Sequence, residues 1–180
     1  MFRDNRTKAA AALILIAVIS RLIPHPANFA PIGAVALFGG CYISNKKMAF
    51  IIPLTIMFLS DLLLQFISGN GFHPVMLWVY TSFALITLLG FYLRGKEKGQ
   101  NILVSSLTGS VIFFLITNFG QWVTGYYGYA NGSLVHSYVE AIPFFSGTLL
   151  GDLFYNLLLF GSFALIRKYH PSLTSIRIKE

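Results

Sequence analysis

MAFIIPLTIMFLSDLLLQFI, residues 48–67, is twenty residues long, follows the basic pair Lys46–Lys47 and holds one charged side chain, Asp61. At about 1.5 Å per residue such a run reaches across the roughly 30 Å hydrocarbon core of a bilayer, so it predicts a transmembrane helix. The composition of the whole chain agrees. Of its 180 residues 56% are hydrophobic and 11% charged, with a mean hydropathy of +0.70, which lies outside the range of soluble domains. The reading is an integral membrane protein with one domain, residues 1–180. Its single cysteine, Cys41, permits no internal disulfide and identifies no redox compartment.

Working outward from that run, apolar stretches recur at about 8–23, 31–43, 75–93, 102–124 and 147–166, separated by short polar or Gly/Pro-containing breaks. With 48–67 they make six candidate helices, and the expected fold is an all-α six-transmembrane-helix bundle. The first stretch follows a basic head but no small-x-small cleavage site, so it is expected to stay as a span. Threading six spans from an inner N-terminus puts Arg3, Arg6, Lys8, Lys46, Lys47, Arg94, Lys96, Lys98, Arg167, Lys168, Arg177 and Lys179 on one side. Those are twelve of the thirteen basic residues, which the positive-inside rule assigns to the cytoplasm together with both termini. The net charge of +7 thereby has a topological explanation, and no nucleic-acid partner is needed. The second stretch is short and rich in Gly and Ala, so it is expected to pack against neighbouring helices.

The exception is Arg21, which opens RLIPHPANFAPIGA, residues 21–34. Prolines 24, 26 and 31 hold this segment extended, end one helix and permit another near Pro31. Non-helical backbone at this depth is tolerable only against protein or a wet cavity. In the same threading Asp61 stands about 22 Å above the inner surface, Asn118 lies as far along the fifth run, and Asp152 is a turn into the sixth. A charge inside a bilayer costs at least about 2.5 kcal/mol, so both aspartates should face the bundle interior, with Arg21 as their counter-charge.

Spacing groups further residues with these. Asp61 and Gln65, Asn118 and Trp122, and Thr148, Asp152 and Asn156 recur every four residues, and Gln121 follows Asn118 by three, so each set shares a helix face. Trp78, Trp122, Tyr80, Tyr126, Tyr127, Tyr129 and Tyr138 crowd the outer end, whereas an ordinary aromatic belt populates both interfaces. GYYGYANGSLVHSYVEAIPFF, residues 125–145, reads as a long outer loop of the lid or binding kind and carries His136 and Glu140. The candidate ligand-binding set is Arg21, Asn28, Asp61, Gln65, Asn118, Gln121, Trp122, Tyr126, Tyr127, Asp152 and Asn156. Against it stands the reading that Arg21, Asp61 and Asp152 form a buried ion-pair network that only fixes helix register.

Catalytic and metal patterns are missing. HExxH, GxSxG and Walker motifs do not occur, nothing supplies an activated nucleophile, and His25 and His73 each precede a proline in a loop, a poor arrangement for a metal. No enzyme and no cofactor are expected.

SRLIPHPANFAPIGAVALFGGCYISNKKMAFIIPL, LSDLLL, ITNFGQW and IPFFSGTLLGDLFYNLLLFG, in that order, resemble an uncharacterised family of small bacterial membrane proteins carried as a domain of unknown function. That family in turn is similar to the substrate-binding S components of energy-coupling factor (ECF) transporters, six-helix proteins with both termini in the cytoplasm. The resemblance implies a bacterial cytoplasmic-membrane subunit that captures a vitamin or similar micronutrient in its outer half. A transmembrane coupling protein and ATPases would be its partners. S components often present an AxxxA pattern on the first helix to that coupling protein, whereas KAAAALILIAVIS has no two alanines four apart. The alternative is a structural or assembly subunit of a larger membrane complex with no ligand.

Overall fold

The computed structural model describes residues 5–69, 71–125 and 133–173. Among these residues six α-helices follow one another: α1 Asn5–Ile19, α2 Ile32–Tyr42, α3 Lys46–Ser68, α4 Met76–Tyr92, α5 Gly99–Thr124 and α6 Leu134–Tyr169. Short 3-10 turns at Ser20–Leu22 and Pro171–Leu173 follow α1 and α6.

Local chemistry sets the helix ends. Pro24 and Pro26 follow the turn that closes α1, and Pro31 stands at the N-cap of α2. The Asn45 side chain accepts from the Met48 amide at 3.1 Å and starts α3, while the Ser133 hydroxyl accepts from the Val135 amide at 3.1 Å and starts α6. Helices α3 and α5 end on Gly69 and Gly125, both with left-handed backbone. Arg94, just past α4, closes α2: its guanidinium donates to the carbonyls of Gly40, Ile43 and Ser44 at 2.9, 2.7 and 3.3 Å.

The expectation of six transmembrane spans is corrected here. Among the described residues three helices are long and apolar enough to cross a membrane: α3 with 23 residues, α5 with 26 and α6 with 36. Helices α1, α2 and α4 have 15, 11 and 17 residues, short of the about 20 a span requires. The apolar runs in the sequence included residues that are not helical. The first run continues into the 3-10 turn, the second includes Pro31 and Ile43 on either side of α2, and the fourth extends beyond α4 at both ends. The expected loop over 125–145 is corrected as well. From Leu134 onward it is helical, and Pro143 lies inside α6 as Pro53 lies inside α3. Proline is tolerated within membrane helices because neighbours and local adjustment satisfy the freed carbonyl.

Helix α2 is the hub. It packs against each of the other five helices, and every residue from Gly33 to Tyr42 is buried. Its closest approach is to α4: a Cβ on Gly40 would lie 2.3 Å from the Thr87 carbonyl oxygen, and one on Gly90 would lie 2.3 Å from that of Leu37. Bare backbone at both positions lets the helices touch, the small-residue packing that bilayers favour. Phe38, Tyr42, Phe160 and Phe163 close the α2–α6 side with ring centroids 4.0–5.7 Å apart. Large apolar side chains such as Ile16, Phe66, Leu77 and Leu157 face outward, as they must where lipid is the solvent.

Successive helices run in alternating directions between two ends of the bundle. One end gathers the start of α1, the end of α2 and the end of α6, where the Asn5 side chain donates to the Ser172 carbonyl at 2.9 Å. Lys46, Lys47, Arg94, Lys96, Lys98, Arg167 and Lys168 all belong to this end. The opposite end holds Arg21 and the segment 23–31.

Candidate functional site

Two features position the polar groups of the Arg21 end. The 3-10 turn after α1 carries Arg21 toward α3, and the proline-bearing segment lies along α6, where glycines admit it. A Cβ on Gly147 would lie 2.2 Å from the Ala27 carbonyl oxygen, and one on Gly151 would lie 3.0 Å from the Ala30 amide. Asn28 adopts left-handed backbone with φ 60°, a conformation asparagine tolerates better than other side chains, and turns the chain there.

Asp61 is buried and both of its oxygens are engaged. Arg21 donates through Nη1 to Oδ1 at 2.7 Å and also to the Ser60 hydroxyl, while the Tyr80 hydroxyl donates to Oδ2 at 2.6 Å. The expected counter-charge relation therefore joins Arg21 to Asp61, and Asp152 stands elsewhere. Asp152 is 3% exposed; Ser110 donates to its Oδ2 at 2.6 Å and the Ala34 amide to the same carboxylate. It thus places a carboxylate at the N-terminus of α2, where the helix dipole and free amides favour one. Gly33 makes room, since a Cβ there would lie 2.4 Å from Oδ1.

Beside the Arg21–Asp61 pair opens a cavity of about 550 Å³. Its polar lining comes from Arg21, Asn28, Asp61, His73, Thr117, Asn118, Gln121, Glu140 and Thr148, and its apolar walls include Phe113, Phe114, Phe144 and Phe145. Phe114 and Phe145 hold one wall with centroids 5.0 Å apart. Asn118 is 4% exposed, and its amide nitrogen donates to the Phe114 carbonyl at 2.7 Å. The Oδ1 atom of the same side chain is buried without a hydrogen-bond partner, a state that costs about 1–3 kcal/mol unless something fills it. Burial pushes the His73 imidazole below its ordinary value; the nearby Asp61 carboxylate opposes this and the Arg21 guanidinium adds to it, and the neutral form is favoured.

Of the residues singled out from the sequence, Arg21, Asn28, Asp61, Asn118 and Gln121 thus share one cavity. Gln65 instead accepts from the amides of Gly71 and Phe72 at 3.0 Å each and ties down the segment after α3. Asn156 donates to the Ser106 hydroxyl at 2.9 Å and joins α6 to α5, and Trp122 packs near Phe119 with centroids 5.8 Å apart. Tyr126 and Tyr127 lie outside the described residues. The sequence reading missed His73, Thr117 and the four phenylalanines. Phe113 stands four residues before Thr117, Phe114 four before Asn118 and Phe144 four before Thr148, so the same spacing that grouped the polar residues was the signal that could have found them. Tyr80 was grouped only with the outer aromatic residues, because its hydrogen bond to Asp61 crosses between helices and leaves no spacing signal. Glu140 was noticed only as part of a loop.

The fold and this cavity define a multi-pass helical membrane protein with a polar, aromatic-walled chamber at one end of its bundle. Residues 3–173 match the model described as Family of unknown function (DUF6580), and the chain belongs to that family. No curated protein and no solved structure matches it significantly.

Proposed function

We propose that the protein is a solute-binding membrane subunit for uptake of a vitamin or similar micronutrient, held in the cavity between Arg21, Asp61, Asn118 and Glu140. The observation that carries the reading is the unpartnered Asn118 Oδ1, a buried acceptor at the wall of a chamber whose volume falls within the about 300–1,000 Å³ range of ligand pockets. Glu140 adds a carboxylate with no ion pair among the described residues. Asn118 Oδ1 and the Glu140 carboxylate are both acceptors, so the proposed solute carries hydrogen-bond donors, such as an amine or amide, on an apolar or aromatic frame that lies against the phenylalanines. The division of labour in this proposal rests on the sequence resemblance to ECF S components alone: this chain captures, and a coupling protein with ATPases drives release. The basic end of the bundle faces the cytoplasm of a bacterial inner membrane, both chain ends with it, and the cavity faces outward. The role is binding, with no chemical step.

A second reading, an assembly subunit without ligand, is favoured by Asp152, Asn156 and Gln65, whose hydrogen bonds all serve the fold. Two measurements separate the readings. Mass spectrometry of gently purified protein is expected to reveal a co-purifying small molecule. Thermal unfolding against a panel of vitamins and nucleosides is expected to show one that stabilises the protein, by about 2.7 kcal/mol at a hundredfold excess over its Kd. That stabilisation should vanish in Asn118→Leu. Absence of both a co-purifying solute and a stabilising one sinks the proposal.

A further inference from the structure

A second cavity, of about 390 Å³, opens at the opposite, basic end of the bundle and takes no part in the chamber described above. Its charged lining is Arg6 from α1, Arg94 and Glu97 from the segment after α4, and Arg167 from α6. Three guanidinium groups thus meet one carboxylate. Arg94 spends its donors on the carbonyls that end α2. Arg6 is engaged loosely: it lies 3.9 Å from Glu97, 3.4 Å from the Cys41 carbonyl and 5.2 Å from the Tyr42 ring centroid. Glu97 is itself held by the Gly95 amide at 3.0 Å. Arg167 has no hydrogen bond or ion pair among the described residues. The Ser44 hydroxyl, also in the lining, is buried without a partner.

We propose that this cavity binds a phosphate group, with Arg167 and Arg6 as charge-assisted donors and the Ser44 hydroxyl as a third. Two helices and the turn after α4 carry arginine to one concave site and leave two positive charges uncompensated, which costs the fold self-repulsion unless an anion enters. Phosphate offers several acceptor oxygens to donors arriving from different sides, and arginine suits its geometry. The site lies at the ends of α2 and α6, at the end of the bundle that also carries Lys46, Lys47, Lys96, Lys98 and Lys168, where a basic pocket between helices meets either an anionic lipid headgroup or a soluble phosphate compound.

The test uses the full chain in detergent and in lipid nanodiscs. Binding is read by native mass spectrometry and thermal unfolding with phosphatidylglycerol, with phosphatidylcholine and with inorganic phosphate alone. One-to-one retention of phosphatidylglycerol over phosphatidylcholine assigns the lipid source, and stabilisation by inorganic phosphate assigns the soluble one. Arg167→Gln removes no hydrogen bond or ion pair among the described residues and should weaken binding about tenfold or more, whereas Lys168→Gln, one residue on and outside the cavity, should change it less than about twofold. Ser44→Ala, which deletes one oxygen, should weaken binding as well and gives a second readout. The proposal fails if neither phosphate source binds above the phosphatidylcholine control. Equal losses from Arg167→Gln and Lys168→Gln also overturn it, since they mean diffuse attraction to a basic surface.

Discussion

Asp61 is the residue at which burial and pairing weigh most heavily against each other. An ionised carboxylate out of water is costly, and here Arg21 and Tyr80 cover both oxygens. Breaking such a pair from one side strands the other charge, so Arg21→Met alone or Asp61→Leu alone should cost about 3–5 kcal/mol in unfolding experiments in detergent, while the double variant should cost less than the sum. Additive losses would show that the pair does not couple. If the cavity binds a solute, the double variant also keeps its fold and loses the solute. Gly33 gives a separate check on Asp152. Gly33→Ala puts a methyl 2.4 Å from the carboxylate oxygen and should cost about 1–3 kcal/mol through forced displacement; an unchanged midpoint would mean that Asp152 does not sit on the α2 N-terminus. His73 supplies a pH signature. Its folded value is held below the ordinary 6.5, chiefly by burial, so folding favours the neutral ring and its contribution to stability is complete above 6.5. As the pH falls below that, the unfolded chain takes up the proton first and the contribution shrinks until the folded value is reached. His73→Gln should therefore flatten the acid limb of the stability profile relative to wild type, and parallel profiles would refute the assignment.

Between elements, close backbone contact does most to fix the arrangement, and the sequence disclosed this unevenly. The Gly and Ala content of residues 31–43 was enough to read α2 as a packed helix rather than a lipid-facing one. Its partner was not legible, because Gly40 meets Gly90 only after α2 and α4 have found each other across fifty residues of chain. Gly90→Val should separate these helices and lower stability by more than the about 1–3 kcal/mol typical of overpacking, since the obstacle is the Leu37 carbonyl and not a movable side chain. Equal stability of Gly90→Val and wild type in thermal unfolding would show that the two backbones are not in contact. Helix ends were misread for a related reason. Hydropathy marks what is apolar, whereas ends are set by hydrogen bonds such as Ser133 to Val135 and by prolines whose effect depends on context. Pro24 and Pro26 lie in non-helical chain, yet Pro53 and Pro143 sit inside helices. Counting apolar runs consequently overstated the number of spans and turned the first third of α6 into a loop.

At the scale of the whole molecule, charge is segregated from one end of the bundle to the other. Membrane class was legible because hydropathy and charge act along the chain, one residue at a time, whereas the depth of Asp152 was not: α6 begins at Leu134, so this residue stands near the middle of its helix and not a turn from its start. Which polar groups share a cavity was not, because Arg21 chooses between two aspartates only once α3 and α6 are placed, and Asp152 is drawn to the α2 amides instead. The segregation itself makes a prediction about orientation. Lys47 at the start of α3 and Phe72 beyond its end are both exposed and lie at opposite ends of one helix that is long enough to cross the membrane. Cys41 is the one native thiol and is buried, so Cys41→Ser provides a background in which single cysteines report cleanly. In intact bacterial cells a membrane-impermeant maleimide should label Phe72→Cys and spare Lys47→Cys until the cells are opened. Both should label equally once the membrane is solubilised, which controls for accessibility within the fold. The reverse pattern would place the basic end outside, turn the 550 Å³ chamber toward the cytoplasm and remove it as an outer-face capture site. It would also leave the arginine-lined cavity facing away from the cytoplasmic leaflet, so one labelling experiment bears on both proposals through the same helix.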